Sequence, residues 1–184
     1  MVSFQETNNT SQTYPMQAAQ RVHKWLKPVE GYYKAQWDAT LSVGICKIGA
    51  GVIIRDHQGQ VIGALRASRW LKGRPFDAEA HGLLLAALFC KEMGLMQVIL
   101  KGDLKQVVDL LQKQVSNWSM GGLLIEDAQN LMNSCSQWSA THTYREANKV
   151  VHYLAKFALN LPEDVYDIEE CPFGIQSIVN IEML

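Results

Sequence analysis

Residues 32–67 read YYKAQWDATLSVGICKIGAGVIIRDHQGQVIGALRA, and this stretch decides the fold. Strand-forming residues concentrate in three runs, at 32–40, 49–55 and 60–67, and residues 56–59 (DHQG) supply a turn between the last two runs. Such short connections join antiparallel neighbours. The stretch therefore predicts an antiparallel meander of three strands.

The pattern changes to a helical period after residue 76. Apolar residues recur at helical spacing in a first helix that Gly94 ends, and again around 104–111, 124–132 and 150–158. Two more strands are expected at 96–101 and 137–144, and strands reached through helices should lie parallel. This order predicts an α/β fold with a five-stranded mixed sheet flanked by helices.

Length and composition indicate one globular domain. The chain has 184 residues, of which 48% are hydrophobic and 19% charged. Residues 1–13 lack the apolar stretch of a secretory signal, and no apolar run approaches the roughly 18 residues of a membrane span. We therefore expect an intracellular protein, cytoplasmic or nuclear, without a membrane partner. The four cysteines are widely spaced, which favours free thiols over a zinc site.

Pattern and charge divide the chain into three parts. Residues 1–27 form a leader, with a short helix expected at 16–26, residues 28–162 form the domain, and residues 163–184 form an acidic tail. The tail has six acidic residues and no lysine or arginine, which leaves 17 basic and 12 acidic residues in 1–162, a net charge of +5. A mildly basic body is compatible with a nucleic-acid partner but does not require one.

Three acidic residues lie where this topology could bring them together. Asp38 is inside the first strand, Glu79 is near the start of the first helix, and Asp103 directly follows the fourth strand. Asp103 could simply cap a helix and Glu79 could favour the positive end of a helix dipole. Asp38 resists such explanations, because aspartate is depleted in strands and costly to bury. Mutual repulsion should raise at least one pKa, above all that of Asp38.

These residues sit in a series of short motifs. The motifs are KAQWDAT at 34–40, GVIIRDHQG at 51–59, AEA at 78–80, GD at 102–103 and REAN at 145–148. Together they resemble the ribonuclease H-like domains of plant non-LTR retrotransposons and of their domesticated relatives. The similarity runs from about residue 25 to the end of the chain.

The resemblance implies a ribonuclease H-like fold and hydrolysis of the RNA strand of an RNA/DNA hybrid. It also implies a site for two divalent cations, Mg²⁺ or Mn²⁺, held by Asp38, Glu79 and Asp103 as catalytic and metal-binding residues. Asp38 would bridge both cations. The chemistry fits, because two hard cations that stabilise the attacking and leaving oxygens require clustered carboxylates.

Two histidines extend the implied site. His152 stands where active relatives carry a fourth acid, four residues after Asn148, and is therefore assigned as a metal ligand. A neutral imidazole lowers the negative charge of the site and suits Mg²⁺ less well. His142 matches the mobile catalytic histidine of the family, with a surface histidine at a strand end as the alternative.

Nucleic-acid contacts are expected in the loop before the first helix. Arg69, Lys72 and Arg74 could place phosphates, and Trp70 offers a ring for stacking. Solvated loop charges are the alternative. Asn148, in the last motif, is a further candidate contact.

Two functions stay open on this sequence. The first is a metal-dependent nuclease for RNA/DNA hybrids. The second is a domesticated domain that binds nucleic acid or a protein without turnover. The two share a fold and differ at the metal site.

Overall fold

The computed structural model describes residues 24–113 and 116–184. Most of the leader, and most of the helix expected at 16–26, lie outside the described residues. The elements are β1 (Tyr33–Ser42), β2 (Lys47–Arg55), β3 (Val61–Trp70), α1 (Pro75–Glu92), β4 (Gln97–Gly102), α2 (Lys105–Lys113), α3 (Met120–Met132), β5 (Gln137–His142), α4 (Lys149–Ala158), β6 (Val165–Ile168) and α5 (Gln176–Glu182).

The strands form one mixed sheet in the order β5-β4-β1-β2-β3-β6. The meander β1-β2-β3 is antiparallel, whereas β4 lies parallel to β1 and β5 lies parallel to β4. The α/β fold and the mixed sheet are therefore confirmed. Within residues 24–113 and 116–184 the sheet has six strands, which corrects the expected number of five.

The additional strand is β6, which lies in the acidic segment 163–184 and pairs antiparallel with β3. Its four residues alternate between half-buried and exposed, and one of them is Asp167. A short edge strand with a charged residue carries little of the apolar alternation that reveals a strand in sequence. Downstream of β6, Ile175 and Val179 pack in one cluster with Val151 and Leu154 of α4. Residues after 162 are thus packed onto the domain.

The two faces of β1 separate apolar from polar side chains. Ala35 and Trp37 join the larger core, which α1 covers. Gln36 and Asp38 point to the opposite face because successive strand residues alternate. That face is covered by α4, and Gln36 Nε2 donates to the backbone oxygen of Ala147 at 2.8 Å. A carboxylate inside a buried strand therefore meets the start of α4.

Two glycines of β2 allow α4 to lie very close to the sheet. A Cβ added at Gly49 would be 2.0 Å from the backbone oxygen of Ala155, and one at Gly51 would be 2.5 Å from that of Val151. Real Cβ atoms do not approach backbone so closely. The missing side chains thus set the distance at which α4 presents its residues to β1.

Candidate metal centre

Three elements deliver the three acidic residues to one place. Asp38 comes from the middle of β1, Glu79 from the beginning of α1, and Asp103 from the residue after β4. One ligand oxygen from each carboxylate lies within 4.8 Å of the other two. β4 delivers Asp103 next to Asp38 because it runs parallel to β1 and ends at the same edge.

The cluster is largely buried, and the carboxyl groups of Asp38 and Glu79 resist ionisation. Asp38 is 5% exposed and Glu79 is 4% exposed. Burial, followed by the charge of Asp103, raises the pKa of Asp38, although His152 opposes the shift. Burial, followed by the charges of Asp38 and Asp103, raises the pKa of Glu79 well above its ordinary value. The pKa of Asp38 is thus raised, as expected, and that of Glu79 is raised as well.

One backbone amide holds two of the carboxylates. The N–H of Ala39 donates to Asp38 Oδ1 at 2.9 Å and to Glu79 Oε2 at 3.1 Å. The side chain of Trp37 also favours the ionised form of Glu79, but the other oxygen of Glu79, Oε1, is buried and has no hydrogen bond of good geometry among the described residues. A buried carboxylate oxygen without a well-placed donor is costly, and a cation would relieve that cost.

His152 lies against the cluster. Its Nδ1 is 2.6 Å from Asp38 Oδ2, and its side chain is 37% exposed. The first half of α4 therefore places an imidazole between the buried carboxylates and solvent. Because Asp38 Oδ1 accepts from Ala39, both oxygens of Asp38 have a partner in the protein.

His142 and Arg145 both contact Asp103. His142 Nε2 is 3.0 Å from the backbone oxygen of Asp103. A carbonyl oxygen only accepts, so Nε2 carries the proton and Nδ1 of the neutral ring is free to accept one. Arg145 Nε donates to Asp103 Oδ2 at 3.3 Å. Sequence reasoning did not single out Arg145, although it lies in the motif REAN.

The sequence pattern of reverse transcriptase-like proteins matches residues 36–158, which include most of β1, all three acidic residues and α4. The chain belongs to the reverse transcriptase-like family. It is 23% identical over 165 residues to an Arabidopsis thaliana protein provisionally named a ribonuclease H protein. That alignment covers 90% of this chain and 26% of the relative, so the chain spans about a quarter of the relative's length.

Solved ribonuclease H structures share the fold of this reverse transcriptase-like domain. RNase H1 of the archaeon Halobacterium salinarum is 20% identical with a TM-score of 0.64, over 70% of this chain and 98% of that chain. The N-terminal RNase H domain of a Mycobacterium tuberculosis protein is 18% identical with a TM-score of 0.63, over 70% and 94%. LC11-RNase H1, in a complex with an RNA/DNA hybrid, is 17% identical with a TM-score of 0.62, over 70% and 96%. At these identities the likeness establishes a ribonuclease H-like fold.

The cationic loop of this reverse transcriptase-like domain is only partly available to a ligand. Arg69 makes two hydrogen bonds with the carboxylate of Asp164, at 2.5 and 2.6 Å. Arg74 Nε lies 3.2 Å from Asp77 but stays mainly exposed. Trp70 is 78% exposed and Lys72 is exposed. The tail thus neutralises Arg69, while Trp70, Lys72 and Arg74 face solvent.

Asn148 has a structural role. It is 1% exposed, its Nδ2 donates to the backbone oxygen of Trp37 at 3.0 Å, and its Oδ1 accepts from Gln36 Nε2 at 3.1 Å. A side chain with both amide ends bonded inside the protein offers nothing to a nucleic acid, so the expected contact is corrected. Asn148 fixes the start of α4 against β1, and thereby the position of His152.

A buried ion pair lies beyond this amide. Arg55, which is 0% exposed, donates through Nη2 to Gln36 Oε1 at 2.7 Å and to Glu182 Oε2 at 2.6 Å. The guanidinium also lies 4.0 Å from the centre of the Trp25 ring. Polar contacts therefore run continuously from α5 through Arg55 and Gln36 to the residue that positions α4.

Among the described residues, no helix is both long and apolar enough to cross a membrane.

Proposed function

We propose that this domain is a divalent-metal-dependent nuclease that hydrolyses the RNA strand of RNA/DNA hybrids. The observation that carries the proposal is the cluster of Asp38, Glu79 and Asp103, whose ligand oxygens lie within 4.8 Å of one another. Two buried carboxylates beside a third that is half-buried destabilise a protein unless a cation compensates them. A fold that maintains such a cluster at a sheet edge is suited to binding metal.

The ligand set fits Mg²⁺ or Mn²⁺. Carboxylate oxygens are the hard ligands that these ions prefer, and the buried Oε1 of Glu79 is one such oxygen. Asp38, Glu79 and Asp103 would hold the ions, with His152 as a further ligand that is better suited to Mn²⁺. When bound, the cations supply an activated water and stabilise charge on the phosphodiester oxygens.

The neighbouring side chains suit phosphodiester hydrolysis. His142, with its free Nδ1, can accept a proton next to Asp103. Arg145 has 80% of its side chain exposed and can orient a phosphate beside the same carboxylate. Lys72 and Arg74, with Trp70, would contact the backbone of a duplex that crosses the loop before α1. Recognition through phosphates and 2′-hydroxyls would not depend on base sequence.

The comparisons support this substrate class without assigning it. LC11-RNase H1, which shares the fold, was crystallised with an RNA/DNA hybrid. The five short motifs support descent from a plant non-LTR retrotransposon, and we place the protein inside the cell, in the cytoplasm or the nucleus.

A second function follows from the contact between His152 and Asp38. At 2.6 Å, His152 already occupies the oxygen of Asp38 that the backbone leaves free. A domain in which this hydrogen bond persists would bind nucleic acid or a protein without cleaving RNA. The two functions share every other contact of the site.

Cleavage of a labelled RNA/DNA hybrid separates the two functions. We expect hydrolysis with Mn²⁺ and slower hydrolysis with Mg²⁺, and none with Asp38→Asn, which keeps the size of the side chain and removes its charge. Hybrid binding without cleavage in either metal, with Asp38→Asn indistinguishable from the wild type, would establish the binding module instead.

A further inference from the structure

A groove runs along the outer surface of α4 and begins at the metal centre. It has a volume of about 330 Å³ and lies between α4 and α5, lined by Arg145, Lys149, His152, Tyr153, Lys156 and Ile178. His152 and Arg145 connect it to the cluster, because they contact Asp38 and Asp103 respectively. A bound polymer strand could therefore pass from the carboxylate cluster straight into the groove.

The groove has a mainly apolar surface, to which the ring of Tyr153 contributes, and three cationic side chains among its lining residues. Among the described residues that line it, Glu146 is acidic and Arg145, Lys149 and Lys156 are basic, with Arg145 paired to Asp103. Lys149, Tyr153 and Lys156 follow one another at i, i+4 and i+7, and so share one face of α4. The two lysines are separated by roughly 10 Å along the helix axis. Tyr153 is 42% exposed.

This combination fits an unpaired nucleic-acid strand better than a duplex. Cations spaced along a groove attract successive phosphates, and an exposed ring stacks on a base whose face is free. The bases of a duplex are stacked on each other and offer no face to Tyr153. The short distance between the lysines matches a few nucleotides of one strand.

We propose that this groove binds the single-stranded continuation of the RNA strand where it extends beyond the hybrid. The assignment rests on the proposed function, since the cluster would hold the RNA strand and the groove starts at the cluster. It defines the preferred substrate as a hybrid with an RNA overhang. The groove needs no metal, because its contacts are made by lysines and a tyrosine.

Fluorescence anisotropy with the full chain in EDTA tests the groove apart from cleavage. The probes are a blunt hybrid and the same hybrid with a 5′ or a 3′ RNA overhang. We expect one overhang to tighten binding, and Tyr153→Ala to remove roughly five- to a hundredfold of affinity for that probe alone. The double variant Lys149→Glu, Lys156→Glu should reduce the salt slope by roughly 0.7 for each phosphate that the protein no longer neutralises.

Lys91→Glu is the matched control, because Lys91 is exposed on α1, away from the groove. It should bind every probe as the wild type does. Equal affinity for blunt and overhanging hybrids, or an equal loss on both probes in the groove variants, would overturn the proposal and leave the groove to another occupant such as a protein segment. If the wild type does not cleave the hybrid but still binds one overhanging hybrid more tightly than the blunt one, the nuclease function is refuted and the role of the groove stands.

Discussion

Replacing Glu79 with glutamine should stabilise the metal-free protein at neutral pH. Its pKa in the folded state lies well above the ordinary 4.5, because of burial and of the charges of Asp38 and Asp103. The folded state therefore keeps a proton that the unfolded chain releases. Stability falls as pH rises through the window above 4.5, by at most about 1.4 kcal/mol per pH unit. Glutamine has no proton to lose and escapes this penalty.

The geometry sets the size of the effect. Two full charges no more than 4.8 Å apart repel by at least about 3.5 kcal/mol at an effective dielectric constant of about 20. Glu79 avoids part of that repulsion by holding its proton, so we expect Glu79→Gln to gain about 1–3 kcal/mol at pH 8 and close to nothing at pH 4. The amide oxygen can still accept from Ala39, which keeps the local hydrogen bond.

Urea unfolding between pH 4 and pH 8 in EDTA, repeated with Mn²⁺, measures the effect. Mn²⁺ should reverse the order, since a ligand at about 100 times its Kd stabilises the wild type by about 2.7 kcal/mol and the variant lacks one anionic ligand. Glu92→Gln, an exposed residue at the end of the same helix, should be neutral at every pH. A Glu79→Gln variant that is less stable than the wild type in EDTA at pH 8 would refute the reasoning.

Three further variants probe other parts of the structure. His152→Asp adds a fourth carboxylate to the site and should therefore tighten Mg²⁺ binding about tenfold, measured by calorimetry, and raise Mg²⁺-dependent cleavage of the hybrid. An unchanged Mg²⁺ affinity would show that residue 152 is not a metal ligand. Glu182→Gln removes the counter-charge of the buried Arg55 and should lower the free energy of unfolding in urea by about 3–5 kcal/mol. A decrease of less than about 1 kcal/mol would mean that water reaches the guanidinium. Gly51→Ala drives a methyl group into the backbone of Val151 and should cost about 3 kcal/mol, with a neutral effect showing that α4 can shift.

The local part of this fold could be read from the sequence. Alternation and the turn at 56–59 predicted β1, β2 and β3, and helical spacing predicted α1 and α4, because these signals depend on neighbours in the chain. The convergence of Asp38, Glu79 and Asp103 followed from topology, since parallel β1 and β4 end at one edge. The order of the motifs then predicted that His152, four residues after Asn148, lies near the three carboxylates.

The rest depends on pairings between distant residues. The sequence near the basic loop indicated no acidic partner for Arg69, but Asp164, 95 positions away, neutralises it. Asn148 was expected to contact nucleic acid, but its side-chain amide is hydrogen-bonded to Gln36, 112 positions away. The strand β6 has four residues, and its pairing with β3 decides its conformation. No local pattern encodes such partners.

The ion pair between Arg55 and Glu182 constrains the order of events during synthesis. Residue 182 leaves the ribosome 127 residues after residue 55, which takes roughly 6–25 s at ordinary translation rates. The hairpins of the meander pair locally and can form during this interval. Burial of Arg55 is costly until its counter-charge arrives, so we expect the layer between the sheet and α4 to close last. A ribosome-bound chain that ends before residue 182 should keep this layer open to chaperones and proteases.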